Sequence, residues 1–376
     1  MHLPHLHRQA LARLHRMACL PAGGVQRIEP LLQALRPVVA FDFGGFLYPG
    51  MDGQLQAHLQ DGPLHAVLAD SFDPRILRSE SQVLVRSSHD FAGAARHEHG
   101  PLLLRELVKV PASEFQRSDF YNVVARPGGG TEYLKLVLRT PQGVGLGALF
   151  LFREAASPWF TTDDVAALAQ LEPLLARILQ DGELDSANSM VLADGMLVVS
   201  SSGGPRWTTP EAEALLGMAF GWRWRRGADL PPALQELVRR VQGPGSLLPA
   251  LELRTSQGWF SLRATLLAAR DEWNSSATSG SGCHAVALHI TRRVPRDARL
   301  LAALETLELP PRQHEMGWWL AQGLSESQIA LRMGISLNTA VYHRRQLYNR
   351  LGVANKDTLL LKMFQSYASG QLNSGS

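Results

Sequence analysis

Apolar residues recur along this chain in two rhythms, and the changes of rhythm divide it. The first twenty residues interleave leucines with His, Arg and Gln, which predicts an amphipathic helix within residues 1–24. Residues 43–48 and 54–59 are short apolar runs flanking Pro49-Gly50-Met51-Asp52-Gly53, the pattern of a hairpin. Tyr133, Lys135, Val137 and Arg139 alternate with leucines, which predicts a half-buried strand. A second strand follows over 144–152 after Pro141-Gln142-Gly143. A helix then starts at Thr161, with Asp164 in capping-box position and Val165, Leu168, Leu171, Leu175 and Leu179 on one face. Strands closed by a helix predict an α+β domain over residues 25–182.

A second unit spans 188–295. Residues 191–192 and 197–200 flank Asp194-Gly195, a strong hairpin signal. Helices are expected from Thr209-Pro210, with Ala212, Leu215 and Leu216 inward, and from Leu230-Pro231-Pro232. Strands follow at 251–255, 259–266 and 285–291, with a polar loop NSSATSGSG at 274–282. Residues 301–368 show helical spacing throughout. The Ser/Gly/Asn-rich stretch 369–376 reads as a disordered tail.

Bulk properties narrow the class. With 45% hydrophobic and 19% charged residues in 376, the chain reads as a soluble protein of several domains. No apolar run reaches the length of a membrane span, and the N-terminus lacks a signal-peptide core, so a cytoplasmic protein is expected. Two distant cysteines, Cys19 and Cys283, suggest neither a disulfide framework nor a zinc module. His2, His5, His7 and His15, and likewise His97 and His99, lack Cys or carboxylate partners at ligand spacing, so no metal or cofactor is expected. Gly128-Gly129-Gly130 is a turn without the Lys-Ser/Thr of a phosphate loop. Trp222 to Arg226 alternates aromatic and basic residues, as a strand edge with snorkelling arginines would. Asp119 and Tyr121 are expected to fix a loop. No nucleophile–base or paired-carboxylate pattern marks an enzyme.

The net charge of +3 says little; its distribution says more. Ser325 and Gln328 form a capping box for a short helix with Ile329, Ala330 and Met333 inside, stopped by Gly334. Ser336 can cap a longer helix that Gly352 closes. Two helices joined by a short turn, the second longer, form a helix-turn-helix. On the second, Ala340, Leu347 and Leu351 make the buried stripe, and Asn338, Val341, Tyr342 and Arg345 lie about opposite. Between Ser327 and Lys356 there are five Lys/Arg and no acid, where average density would give about three acids. Carboxylates would repel phosphate, whereas Arg and Asn suit phosphates and purine edges.

This segment resembles the LuxR-type helix-turn-helix of bacterial regulators through Leu309, Pro311, Arg312, Glu315, Leu320, Ala321, Gly323, Ile329, Ala330, Arg332, Gly334, Ile335, Ser336, Asn338, Thr339, His343, Tyr348, Leu351, Gly352 and Val353. The resemblance implies that the third helix enters the major groove and that the fourth pairs dimers. It departs from that family at Pro310, where a capping Ser or Thr is usual, at Gly317, where a core Leu is usual, and at Val341, where a phosphate-contacting Lys is common. Upstream, Ser118-Asp119-Phe120-Tyr121-Asn122, the strand from Gly147 to Arg153 and the helix start from Phe160 to Asp164 resemble a GAF-type sensor domain. The second unit is similar to a PAS-type fold in the order of its elements.

The sequence therefore suggests two α+β sensor-like domains followed by an all-α helix-turn-helix domain. The expected function is sequence-specific transcriptional regulation; the alternative is a sensing protein whose helix-turn-helix no longer reads DNA. Expected DNA contacts are Ser336, Asn338, Thr339, Tyr342, Arg344, Arg345, Arg350 and Lys356. Expected dimer contacts are Leu359, Leu360, Met363 and Phe364. Of Trp318 and Trp319, one is expected in the core and the other at a surface; His343 is expected to pack or cap. Double-stranded DNA and a second copy are the expected partners, with a small-molecule ligand of the first sensor domain and RNA polymerase as further candidates.

Overall fold

The computed structural model describes residues 5–19, 24–50, 53–180, 189–200, 202–224, 229–243, 249–267 and 285–373. The 274–282 loop, Cys283, His2, Met51, Asp52, Arg225 and Arg226 lie outside these.

Helix α1 (His5–Ala18) buries Ala10, Leu14 and Met17, spaced by four and three so that they share one face. After α2 (Ile28–Leu35) the chain forms the expected hairpin, β1 (Phe43–Pro49) with β2 (Leu55–Leu59), in register from Gly45 opposite Leu59 to Pro49 opposite Leu55. Then come α3 (Leu64–Ser71), α4 (Pro74–Val83) and α5 (Phe91–His97), β3 (Leu102–Leu103), α6 (Leu104–Leu107) and α7 (Ala112–Arg117), and a wide turn at Phe120–Ala125. Strands β4 (Tyr133–Arg139) and β5 (Gly145–Phe152) complete a sheet of order β2-β1-β5-β4-β3, and α8 (Thr162–Ile178) closes the domain. Thr161 and Asp164 cap α8 reciprocally, as expected.

Strand β4 is not half-buried. Leu134, Leu136 and Leu138 join the core beneath α1, α2 and α8, while Tyr133 and Val137 join the core on the other face. With both faces covered, alternation no longer marks inside from outside. Lys135 lies in that interior at 2% exposure because Glu98, on the far side of α5, meets its ammonium at 2.8 Å.

The second domain opens with β6 (Ser189–Ser200), one unbroken strand where a hairpin at Asp194-Gly195 was expected. It pairs along its whole length with β10 (Ala285–Pro295), from Pro295 opposite Ser189 to Ala285 opposite Ser200. Gly195 serves packing, not turning: a Cβ there would sit 2.4 Å from the backbone nitrogen of Ala212 on α9 (Pro210–Phe220). The true reversal lies between β6 and β7 (Pro205–Thr208), where Ser200 N–H donates to Gly204 O and Gly203 takes φ +88°. Thr209 caps α9, α10 (Pro232–Gln242) follows, and β8 (Ala250–Thr255) and β9 (Gly258–Leu267) form a hairpin. Trp222 lies in a short 3₁₀ turn, not on a strand edge, and stacks on Phe72 of the first domain at 3.9 Å. The sheet order is β7-β6-β10-β9-β8.

Strand β10 runs directly into α11 (Arg296–Thr306), followed by α12 (Pro311–Ala321), α13 (Glu326–Met333), α14 (Leu337–Leu351) and α15 (Lys356–Asn373). Backbone of residues 369–373, expected in a disordered tail, continues α15. The domains meet through specific contacts. Tyr48 Oη accepts from Ser256 N–H at 3.0 Å, and His58 links Ser256 Oγ to Glu29, each at 3.0 Å. Hydrogen bonding from His58 first, then Gln60 and Gln33, holds Glu29 down at about 2 against its burial. Arg27, buried, donates to Glu305 on α11 at 2.7 Å.

Candidate nucleic-acid interface

The pair α13–α14 is built by local signals. Ser325 and Gln328 cap α13 reciprocally, and Gly334 ends it in the left-handed region at φ +63°. Ser336 Oγ accepts from Thr339 N–H at 3.2 Å and starts α14; Gly352, at φ +64°, ends it. A non-glycine residue at either left-handed position would crowd its Cβ against its own backbone. Ala340, Leu347 and Leu351 are buried with Ile329, Ala330 and Met333, the stripe expected from sequence. Each large side chain so buried contributes about 1.5–3 kcal/mol.

The opposite face of α14 is open. Leu337, Asn338, Tyr342, Arg345, Gln346, Asn349 and Arg350 are exposed, with Val341 half-buried beside them. Ser336 and Thr339 lie at the head of the helix, their hydroxyls joined at 2.8 Å. Lys356 starts α15, its ammonium lying 3.4 Å from where a Cβ at Gly323 would stand. His343 is half-buried with Tyr342 edge-on at 5.6 Å.

Arg344 is placed differently from its neighbours. Its guanidinium pairs with Glu326 on α13 and lies over the Tyr348 ring at 5.7 Å. Glu326 is one residue outside the acid-free stretch, and helix packing folds it back onto α14. Arg344 thus links the two helices. The helix start at Pro310 has no side-chain cap, as the sequence suggested.

The fourth helix packs largely within its own domain. Leu359 and Met363 are wholly buried in their own domain, against α11, and Leu360 and Phe364 are half-buried beside them, with Arg299 of α11 over Phe364 at 5.4 Å. Only Leu361 presents a large apolar side chain to solvent on the described part of α15. Gly317 explains how α11 comes so close: a Cβ there would lie 3.0 Å from Leu304 Cδ2. The space left by the missing leucine is filled from α11. Trp318 is buried, and Trp319 is half-buried against the same core with Arg332 over its ring at 4.7 Å, so neither ring is the surface ring that the sequence suggested.

One functional candidate left no trace in the sequence. His314 on α12 is wholly buried, and neither ring nitrogen has a hydrogen-bond partner among the described residues. Burial, with the charges of Arg27 and Arg16 added, pushes it down to about 3, so it is neutral. It sits where α12 meets the N-terminal helices.

With this geometry in place, comparison with known proteins is decisive for the segment. The family described as bacterial regulatory proteins, luxR family, matches residues 308–363. Residues 308–363 are a LuxR-type helix-turn-helix domain. The chain is similar to the probable transcriptional regulatory protein SgaR of Hyphomicrobium methylovorum, 48% identical over 48 residues, 13% of this chain and 23% of that protein. The transcriptional regulatory protein UhpA of Salmonella typhimurium is 34% identical over 140 residues, 37% of this chain and 66% of that protein. The match thus spans less than two thirds of either relative. A solved structure of the Vibrio cholerae VqmA dimer, described among LuxR-type receptors, is 17% identical and covers 46% of this chain and 83% of that chain, with a TM-score of 0.19. That score is too low to bear on the arrangement of the domains here.

Proposed function

We propose that the chain is a sequence-specific, DNA-binding transcriptional regulator whose LuxR-type domain is governed by two upstream α+β domains, the first GAF-like and the second PAS-like. The observation that carries this reading is the open, acid-free face of α14, capped and braced by α13 within the LuxR-type segment. Asn338, Tyr342 and Arg345 are assigned to base edges. Ser336, Thr339, Arg350 and Lys356 are assigned to phosphates, and Arg344 to positioning through Glu326. One recognition helix reads only a few base pairs, so a homodimer is proposed, its recognition helices on centres about 34–36 Å apart. Pairing through Leu359, Leu360, Met363 and Phe364 requires α11 to leave α15. The regulator acts on the bacterial nucleoid in the cytoplasm, with RNA polymerase as a further partner, and its first domain binds a small molecule.

The test uses the full chain on genomic DNA fragments, followed by footprinting and salt titration of any selected site. Two protected half-sites are expected. Arg345→Ala should cost about 1–3 kcal/mol at the selected site and relax specificity at one position. Folded protein that selects no site, with Arg345→Ala indistinguishable from the parent at every salt concentration, would mean that α14 does not read DNA.

A further inference from the structure

The first domain holds a recess between its sheet and the layer of α3, α4 and the 120–125 turn. Its void is about 80 Å³ and opens to solvent. Five aromatic rings line it: Phe46, Phe120, Tyr133, Phe150 and Phe152. Its polar wall is Glu80, Ser88 and His89. Among the described residues, no lysine or arginine lines it.

The polar wall is negative. Glu80 is 1% exposed. Its carboxylate accepts from the Ser87 hydroxyl and from both the hydroxyl and the N–H of Ser88. Burial pushes it up, but His89 and those donors outweigh burial and hold it below the ordinary carboxylate range. The basic group nearest to it is His89 Nδ1, at 3.6 Å, too long for a hydrogen bond. The neighbouring acid, Glu98, is matched by Lys135 at 2.8 Å and Arg86 at 3.5 Å, so neither cation is left over for Glu80. Burial, Glu80 and Glu98 all push the Tyr133 hydroxyl up. A buried carboxylate whose one basic neighbour is a histidine ring nitrogen 3.6 Å away, facing ring π-systems, favours a positive guest that can replace that contact and repels a negative one.

A chain of ring contacts leads from the wall of the recess to the second domain. His89 stands edge-on to Phe72 at 4.3 Å, and Phe72 stacks on Trp222 at 3.9 Å and 18°. Trp222 follows α9, which packs on β6 and β10, and β10 runs into α11 and so to the LuxR-type domain.

We propose that this recess binds a small organic cation, a primary amine on a one-ring or similarly compact apolar body, and that its occupancy is passed to the second domain through His89, Phe72 and Trp222. This rests on the reading of the first domain as the sensing unit. A guest with its ammonium at Glu80 and its ring among the phenylalanines satisfies both walls at once. It also crowds His89, whose only aromatic neighbour leads across the domain seam.

The experiment titrates the full chain with benzylamine, benzyl alcohol and benzoate by calorimetry, and follows tryptophan emission in the parent and in Trp222→Phe. Benzylamine should bind about tenfold or more tightly than benzyl alcohol, with benzoate weakest. Glu80→Gln, checked for folding by circular dichroism, should bring benzylamine down to the level of the alcohol. Leu68→Phe, on the recess wall, should weaken both, and the emission change should shrink in Trp222→Phe. Benzyl alcohol or benzoate binding as tightly as benzylamine overturns the proposal, as does amine binding that Leu68→Phe leaves untouched. Amine binding that leaves DNA affinity unchanged overturns the sensing reading while keeping the ligand class. DNA affinity that responds to removal of the first domain, with no amine bound, overturns the ligand class while keeping the sensing reading.

Discussion

The two α+β domains share one strand order, each sheet running second, first, fifth, fourth, third, yet their interiors differ in kind. The first buries Arg27, His58, Glu80, Glu98, Glu132, Lys135 and Arg153. The second buries hydroxyls, Thr255, Ser261 and Thr291, and otherwise aliphatic and aromatic side chains such as Leu197, Phe260, Leu262 and Leu288. Buried charges add little net stability to a fold and demand their partners' geometry. An interior that retains them beside an aromatic recess is suited to a guest, and one built of aliphatic and aromatic side chains is suited to transmission. The same scaffold thus appears once with a charged interior and once with an apolar one.

The largest test of this contrast is Lys135→Met. It leaves Glu98 buried with only Arg86 at 3.5 Å, and should cost about 3–5 kcal/mol in chemical denaturation. Combining it with Glu98→Gln should recover much of that loss. In the second domain the heaviest cost should come from a void: Leu262→Ala, at 0% exposure, should cost about 2–5 kcal/mol, with no partner substitution able to restore it.

Acid should separate the regions next. His314 stands at about 3 when folded and near 6.5 when unfolded, so its folded pKa is depressed. The unfolded chain binds the extra proton, so the stability of its seat is complete above about pH 6.5 and falls as pH drops toward 3. Between pH 7 and 5 the loss should be about 2 kcal/mol. His314→Gln should flatten that slope. Hydrogen exchange over the second sheet, corrected for intrinsic rate, should not change across the same range.

The smallest effects should come from enlarging side chains. Leu68→Phe faces the recess and should cost under about 1 kcal/mol, whereas Leu234→Phe, in the filled second core, should cost about 1–3 kcal/mol. Equal melting-point shifts for the two would mean that the first core is as full as the second.

Where structure follows from neighbours along the chain, the sequence was readable. Thr161 with Asp164, Ser325 with Gln328, Ser336, Gly334 and Gly352 each act within a turn of their own position, and they place α8, α13 and α14 as expected. What depended on distant segments was not readable. Asp194-Gly195 carries the letters of a turn, yet Gly195 is small because α9 lies on it. Arg344 looks free in sequence, yet Glu326, eighteen positions earlier, takes it. Leu359 and Met363 read as an unpaired stripe because nothing in the sequence says that α11 covers them. The recess was out of reach for the same reason: Glu80, His89 and Tyr133 belong to three separate elements.

The knob of Leu304 in the hollow at Gly317 has a consequence for how such proteins are assembled by recombination. A helix-turn-helix that carries the usual leucine there would have to displace the Leu304 side chain of this α11, and this domain without its α11 loses the side chain that packs on Gly317. The DNA-reading unit is therefore not an interchangeable cassette joined at a free linker. Grafted from a relative onto this sensor, it would have to bring the glycine with it, and lifted out of this chain, it would have to take the helix along.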